Sequence, residues 1–235
     1  MKNKILTTLL AIAAALLIIS ASIALPIYIR PFYYAHIGPY NLEARTGQTA
    51  EDIRAAFDEV MDYLTLPGRE FGAGVFAYSE EGASHFADCK VLFTLDTVVL
   101  IVSLAVVVLL AVLAWRGVFK LCRPFGAHVL LTSGGAVLSL FALLALVISL
   151  DFNTAFVIFH QLFFPGKENW VFDPATDPII NALPQGFFAN CAVLIGASVI
   201  ALSLACVIYG LIERKKRGND EETMQGEEET MQGDF

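Results

Sequence analysis

The chain has 235 residues, of which 57% are hydrophobic and 16% charged, with a formal net charge of −8. Soluble domains are about 45–50% apolar and about 25% charged, so a water-soluble globular protein is excluded, and no nucleic-acid partner is expected. The apolar excess is concentrated in four runs, 5–29, 91–115, 127–150 and 187–212, each long enough to cross about 30 Å of hydrocarbon as a helix.

The first run follows Lys2 and Lys4. Ser22-Ile23-Ala24 offers a small-residue cleavage pattern, but the run continues through Pro26 to Ile29, well past the 7–15 residues of a signal core. An uncleaved first span is therefore expected. The segment 30–90 contains "TAEDIRAAFDEVMDYLTLPG", which reads as a surface helix. Thr49 is its expected cap with Asp52 three residues on, and Pro67-Gly68 stops it. Ile53, Phe57, Val60 and Leu64 share one face at helical spacing, with Asp52, Arg54, Asp58, Glu59 and Asp62 opposite.

"FAYSEEGASHFADCKVLF", residues 76–93, runs directly into the second apolar stretch. If it is already helical there, Glu81, His85 and Asp88 fall on one side, with Lys90 close by. Asp96 lies inside that span, where an unpaired carboxylate is costly. It should face the bundle interior, bonded to Thr94 or Thr97 or paired with Lys90. Arg116, Lys120 and Arg123 precede the third span, which His128 opens.

The segment 151–186 has Lys167 as its one basic residue. It carries His160, Asn169 and Trp170 among phenylalanines, then Asp173-Pro174 and Asp177-Pro178, which favour turns. After the fourth span come Arg214, Lys215, Lys216 and Arg217, and then a tail, 218–235, with seven carboxylates and a doubled "EETMQG". Dense like charge and low hydrophobicity predict a disordered cytoplasmic tail.

Basic residues near span ends stay cytoplasmic. The expected fold is thus an all-α integral membrane protein of four transmembrane helices over 1–217, with both termini inside. Two outer segments, 30–90 and 151–186, form a small extracytoplasmic cap. Four cysteines are present, Cys89, Cys122, Cys191 and Cys206, with no Cys-x-x-Cys to cycle electrons. Cys89 and Cys191 fall near the same outer surface, so one disulfide between them is open. His85 and His160 also fall there, within a few residues of span ends, and can meet when the bundle closes. Imidazole gives and takes protons near neutral pH, so the pair is a candidate acid–base site.

Two stretches together, "SEEGASHFADCK" at 79–90 and "FHQLFFPGKENWVFDPATDPIINALPQGFF" at 159–188, resemble the lipoprotein intramolecular transacylases of Gram-positive bacteria. The resemblance extends over nearly the whole chain apart from the tail. Glu81 stands where the family pattern leads one to expect a basic residue, and Cys89 where valine is expected.

The resemblance implies a cell-membrane acyltransferase with its active site on the extracytoplasmic face. Its substrates would be diacylglyceryl lipoproteins, met within membrane lipid. The sn-2 acyl chain would move to the α-amino group of the lipoprotein's N-terminal cysteine, giving the lyso-form. His85 and His160 would be the catalytic acid and base, in an order left open. Lys90, Asn169 or a backbone amide are candidate oxyanion donors, with Asp88, Asp173 and Asp96 supporting. No cofactor and no metal is implied. Two rival readings are a zinc-dependent membrane hydrolase built on His85, Asp88 and His160, and a non-enzymatic four-span adaptor.

Overall fold

The computed structural model describes residues 1–123 and 127–233; of these, the side chains of 146–150, 220–223 and 225–233 are not described. Among the described residues the structure is helical, with no strand. The helices are α1 (Lys2–Tyr28), α2 (Arg30–Tyr34), α3 (Leu42–Thr46), α4 (Ala50–Thr65), α5 (Glu80–Trp115), α6 (Val129–Leu150), α7 (Phe152–Phe163) and α8 (Gln185–Gly233), with a 3-10 turn at Pro178–Asn181. Three helices are long and apolar enough to cross a membrane: Lys2–Tyr28, Glu80–Trp115 and Gln185–Asn219. Their low polarity leaves backbone groups bonded only within the helix, the arrangement hydrocarbon requires.

The chain divides into two compact units. One contains residues 1–19, 101–142 and 198–235. Leu10, Leu110, Phe119 and Val129 form its buried apolar cluster, and the Thr7 hydroxyl accepts the Cys122 backbone N–H at 3.0 Å. His128 belongs here. Its Nδ1 accepts the Leu130 N–H at 3.2 Å, and its ring lies 5.8 Å from that of Tyr209.

The other unit, 20–100 with 143–197, holds the larger core. Thr49 caps α4 as expected, accepting the Asp52 N–H at 3.2 Å and donating to the Asp52 carboxylate at 2.7 Å. Ile53, Phe57, Val60 and Leu64 are all buried, joined by Ala56 and Met61. Burying each large apolar side chain contributes about 1.5–3 kcal/mol, which fixes this face inward. The Tyr33 ring stacks on Phe57 at 3.7 Å, Phe187 meets Tyr33 edge-on, and the Tyr33 hydroxyl donates to the Ala182 carbonyl at 2.8 Å. On the polar side Arg30 bridges Asp58 and Asp62 at 3.0 and 2.8 Å. Chain segments far apart in sequence are thereby held around one core.

Three elements extend the sequence reading. α5 begins at Glu80, eleven residues before the apolar run, so His85 lies on a helix. The segment 151–186 contains a complete helix, α7, capped by Asp151, whose carboxylate accepts the Asn153 N–H at 2.9 Å. The α8 backbone continues through the acidic repeat to Gly233, where composition predicts no fixed structure. Extending an existing helix avoids the nucleation cost, and Glu, Met and Gln are good helix formers. Asp234 and Phe235 lie outside the described residues.

Candidate active site

His85 stands in the second turn of α5 and His160 in the last turn of α7. Their ring centroids are 5.6 Å apart at an interplanar angle of 33°. Both side chains are buried, 6% and 7% exposed. Aromatic rings enclose them. Phe164 stands edge-on to His85 at 5.1 Å and tilted to His160 at 5.7 Å, Phe172 is edge-on to His85 at 5.6 Å, and Trp170 stacks on His160 at 4.6 Å.

The two imidazoles differ in their bonding. His160 Nδ1 lies 2.7 Å from the Phe156 carbonyl oxygen, one helical turn back. A carbonyl can only accept, so Nδ1 carries the proton and, in the neutral ring, Nε2 keeps a lone pair. Burial pushes the His160 imidazole below its ordinary value, against the Phe156 hydrogen bond, which favours the charged form. His85 Nε2 is 3.4 Å from the Cys89 thiol, a weak partner, and His85 Nδ1 is buried without one.

One turn along α5, Asp88 is bonded through Oδ1 to the Lys167 ammonium, and its Oδ2 accepts from Asn169 Nδ2 at 3.0 Å. Asn169 Nδ2 also reaches the Ser84 hydroxyl at 3.3 Å. Asp88 and Asn169, both candidates from the sequence, are thus bonded to each other one turn along from His85. Lys167, read only as a topology marker, proves to be their third member. Its signal was its isolation, as the one cation in 151–186.

The other candidate residues go elsewhere. Lys90 Nζ lies over the Tyr63 ring at 4.0 Å and donates to the Arg69 carbonyl at 3.5 Å, so it faces α4 rather than the histidines. Asp173 accepts the Ala175 N–H at 2.9 Å, the turn role its Asp-Pro context favours. Asp96 bonds to Ser20 of α1, not to Thr94, Thr97 or Lys90, and keeps Oδ2 buried without a partner. Cys89 and Cys191 are free thiols.

Asp177 was read as a turn residue too, and here the structure adds something. It is 3% exposed, and its Oδ1 accepts the Ser79 backbone N–H at 2.7 Å. Burial raises its carboxyl pKa, yet hydrogen bonds from the Ser79 N–H, the Thr176 hydroxyl and the Ser79 hydroxyl hold it below the usual carboxylate range. Among the described residues no three His, Cys, Asp or Glu side chains are grouped to hold a metal ion. The Asp88 oxygens that a zinc site would need are bonded to Lys167 and Asn169 instead.

Residues 8–188 match the family model of the lipoprotein intramolecular transacylase Lit. The chain belongs to the lipoprotein intramolecular transacylase family. It is also similar to the in meso structure of the membrane integral lipoprotein intramolecular transacylase Lit from Bacillus cereus. That likeness has a TM-score of 0.81 at 25% identity and covers 92% of this chain and 98% of that one. Two structures of the Bacillus cereus transacylase with one histidine replaced, by arginine and by alanine, each give a TM-score of 0.74. Their identities are 24% and 23%, covering 93% and 92% of this chain and 95% and 96% of theirs. No curated protein matches the chain.

The protein is therefore a membrane-integral transacylase that acts on lipoproteins. Acyl transfer needs a group to accept a proton from the nucleophile and one to supply a proton to the leaving oxygen. In this transacylase two buried imidazoles lie with ring centroids 5.6 Å apart, and His85 Nδ1 has no partner.

Proposed function

We propose that the transacylase moves the sn-2 acyl chain of an S-diacylglyceryl lipoprotein to the α-amino group of the same molecule's N-terminal cysteine. The observation that carries this reading is the His85–His160 pair: two buried rings 5.6 Å apart, each with a nitrogen not committed to a strong partner.

The α-amine, with a free pKa of about 7.7–8.0, must lose its proton before it attacks the ester carbonyl. That proton leaves to solvent, and His160 accepts through Nε2 the second proton, the one the nitrogen sheds as its bond to the ester carbon forms. The tetrahedral oxyanion needs a donor. Lys90 is turned to Tyr63, and Lys167 and Asn169 are engaged with Asp88, so among the candidate side chains the His85 N–H takes this role. The carbon–oxygen bond to glycerol then breaks, an amide remains, and the imidazolium proton passes to the departing glycerol oxygen. Donor and acceptor belong to one molecule, so the reaction is an isomerisation and no acyl-enzyme is required. Holding ester and amine together can remove several kcal/mol of the barrier. The phenylalanines around the pair suit the substrate's acyl chains.

The four spans are α1, α5 from residue 91, α6 and the first part of α8. α6 has 22 residues, about 33 Å of helix at 1.5 Å per residue. Nine Lys and Arg residues flank the inner ends, Lys2, Lys4, Arg116, Lys120, Arg123 and Arg214 to Arg217, against Lys167 in the second outer segment. Both termini are then cytoplasmic, and segments 30–90 and 151–186 form an extracytoplasmic cap that carries the site.

Expression in a bacterium whose lipoproteins keep free amino termini tests the reaction. Substrate and product are isomers, so fragmentation of the N-terminal peptide is the readout, not intact mass. The expected result is an N-acylated cysteine that loses a monoacyl thioglycerol fragment. A free amine and a diacyl fragment after expression would contradict the reading.

A further inference from the structure

His85 has no strong hydrogen bond to hold its ring. Nε2 meets only a thiol, and Nδ1 has no partner. Its orientation must come from packing, which Phe164 and Phe172 supply. Phe172 lies on a strap, residues 167–177, that returns along the start of α5. The strap is tied to α5 at both ends. Lys167 and Asn169 hold Asp88 at one end, and Asp177 accepts the Ser79 N–H at the other. Between the ties, Trp170 stacks on His160 and Phe172 presses on His85.

The Asp177 tie depends on a missing side chain. Gly82 is buried in the first turn of α5, and its N–H donates to the Ser79 hydroxyl at 2.9 Å. A Cβ at Gly82 would come closer to Asp177 Oδ1 than real Cβ atoms approach. It would also stand 3.1 Å from the Phe172 ring. The strap therefore lies against α5 at this point only because residue 82 is glycine.

We propose that Asp177 is a positioning residue for acyl transfer, pinning the strap to the start of α5 through Ser79, with Gly82 as the gap that admits it. It touches no reacting group. It acts through Phe172 on the angle of His85 to His160, and so rests on the reading that these histidines perform the chemistry. Misplacement of a reacting group by about 1 Å can cost about a hundredfold in rate.

The test uses the full-length protein in detergent with a synthetic S-diacylglyceryl lipopeptide. Asp177→Ala should lower kcat by roughly tenfold to a hundredfold with KM little changed. Asp177→Asn keeps an acceptor oxygen and should recover most of the rate. Alanine's better helix propensity opposes the overpacking at Asp177 and Phe172, so Gly82→Ala should lower Tm no further than Asp177→Ala does. Its kcat should fall as for Asp177→Ala, and the double variant should be no slower than Asp177→Ala alone, because both changes cut one tie. Three results would overturn the inference: Gly82→Ala at the parent rate, Asp177→Asn as slow as Asp177→Ala, or a rate loss in Gly82→Ala that comes with a Tm well below that of Asp177→Ala. His85→Ala belongs in the same series. If His85→Ala is inactive while Asp177→Ala runs at the parent rate, the inference alone fails. If His85→Ala keeps its rate, the reading of the histidine site fails and takes this inference with it.

Discussion

Three histidines of this chain occupy different chemical situations, and the bonds of each forecast its substitution. His36 is saturated: Nδ1 donates to the Phe32 carbonyl at 2.6 Å, and Nε2 accepts from Asn190 at 2.9 Å. His36→Ala should cost stability rather than turnover, and His128→Gln, in the other unit, should keep most activity. A purified His128→Gln protein as slow as a His160 variant would count against the assignment. His160 keeps a free nitrogen in a buried setting that lowers its pKa below the ordinary 6.5. Because the basic form is the active one, His160 should add an acid limb only below about 6.5, beneath the one the substrate amine sets at about 7.7–8.0. A pH profile of kcat that shows a second acid limb above pH 7 once the amine's own ionisation is divided out would contradict this. The histidine pair was legible in sequence because both residues lie near span ends on one side. Asp177 was not legible, because its Asp-Pro context is identical to that of Asp173, which is only a turn residue. What separates them is a contact 98 residues back along the chain, to Ser79, and no local pattern carries that.

At the scale of elements, the amphipathic α4 and its Thr49 cap were readable because a polar face alternates with an apolar one at helical period. α7 was hidden. Its twelve residues, FNTAFVIFHQLF, are rich in aromatic and β-branched side chains and make only about three turns, so the polar side of Asn153, Thr154, His160 and Gln161 is a short pattern easily read as loop. Only the Asp151 cap and the core contacts of Phe164 and Phe156 define it. The extension of α5 back to Glu80 was readable only as a condition, and that extension is what brings His85 within reach of α7. α8 supplies a prediction of its own. Dense like charge marks its acidic end as a solvated segment, so deletion of residues 218–235 should leave lipopeptide turnover within about twofold of the parent, the scatter expected of surface changes away from packed features. A larger loss at unchanged Tm would assign the tail a role in catalysis.

For the molecule as a whole, the charge distribution makes an orientation that can be read directly. In a cysteine-substitution series, an impermeant thiol reagent applied to intact cells should label positions in 40–70 and 165–180, and should not label 120 or 216. The opposite pattern would place the histidines on the cytoplasmic side and remove the lipid-anchored substrate from their reach. The central claim is that this pair transfers the chain, and one measurement addresses it most directly. Purified wild-type, His85→Ala and His160→Ala proteins are each given a synthetic S-diacylglyceryl lipopeptide, and the two isomers are separated and quantified over time. General acid–base assistance is worth about 10²–10⁴-fold. Each variant should therefore leave the diacyl form with its free amine almost untouched, while remaining monodisperse. A folded His160→Ala protein that forms the N-acyl lyso-product at the wild-type rate would contradict the account.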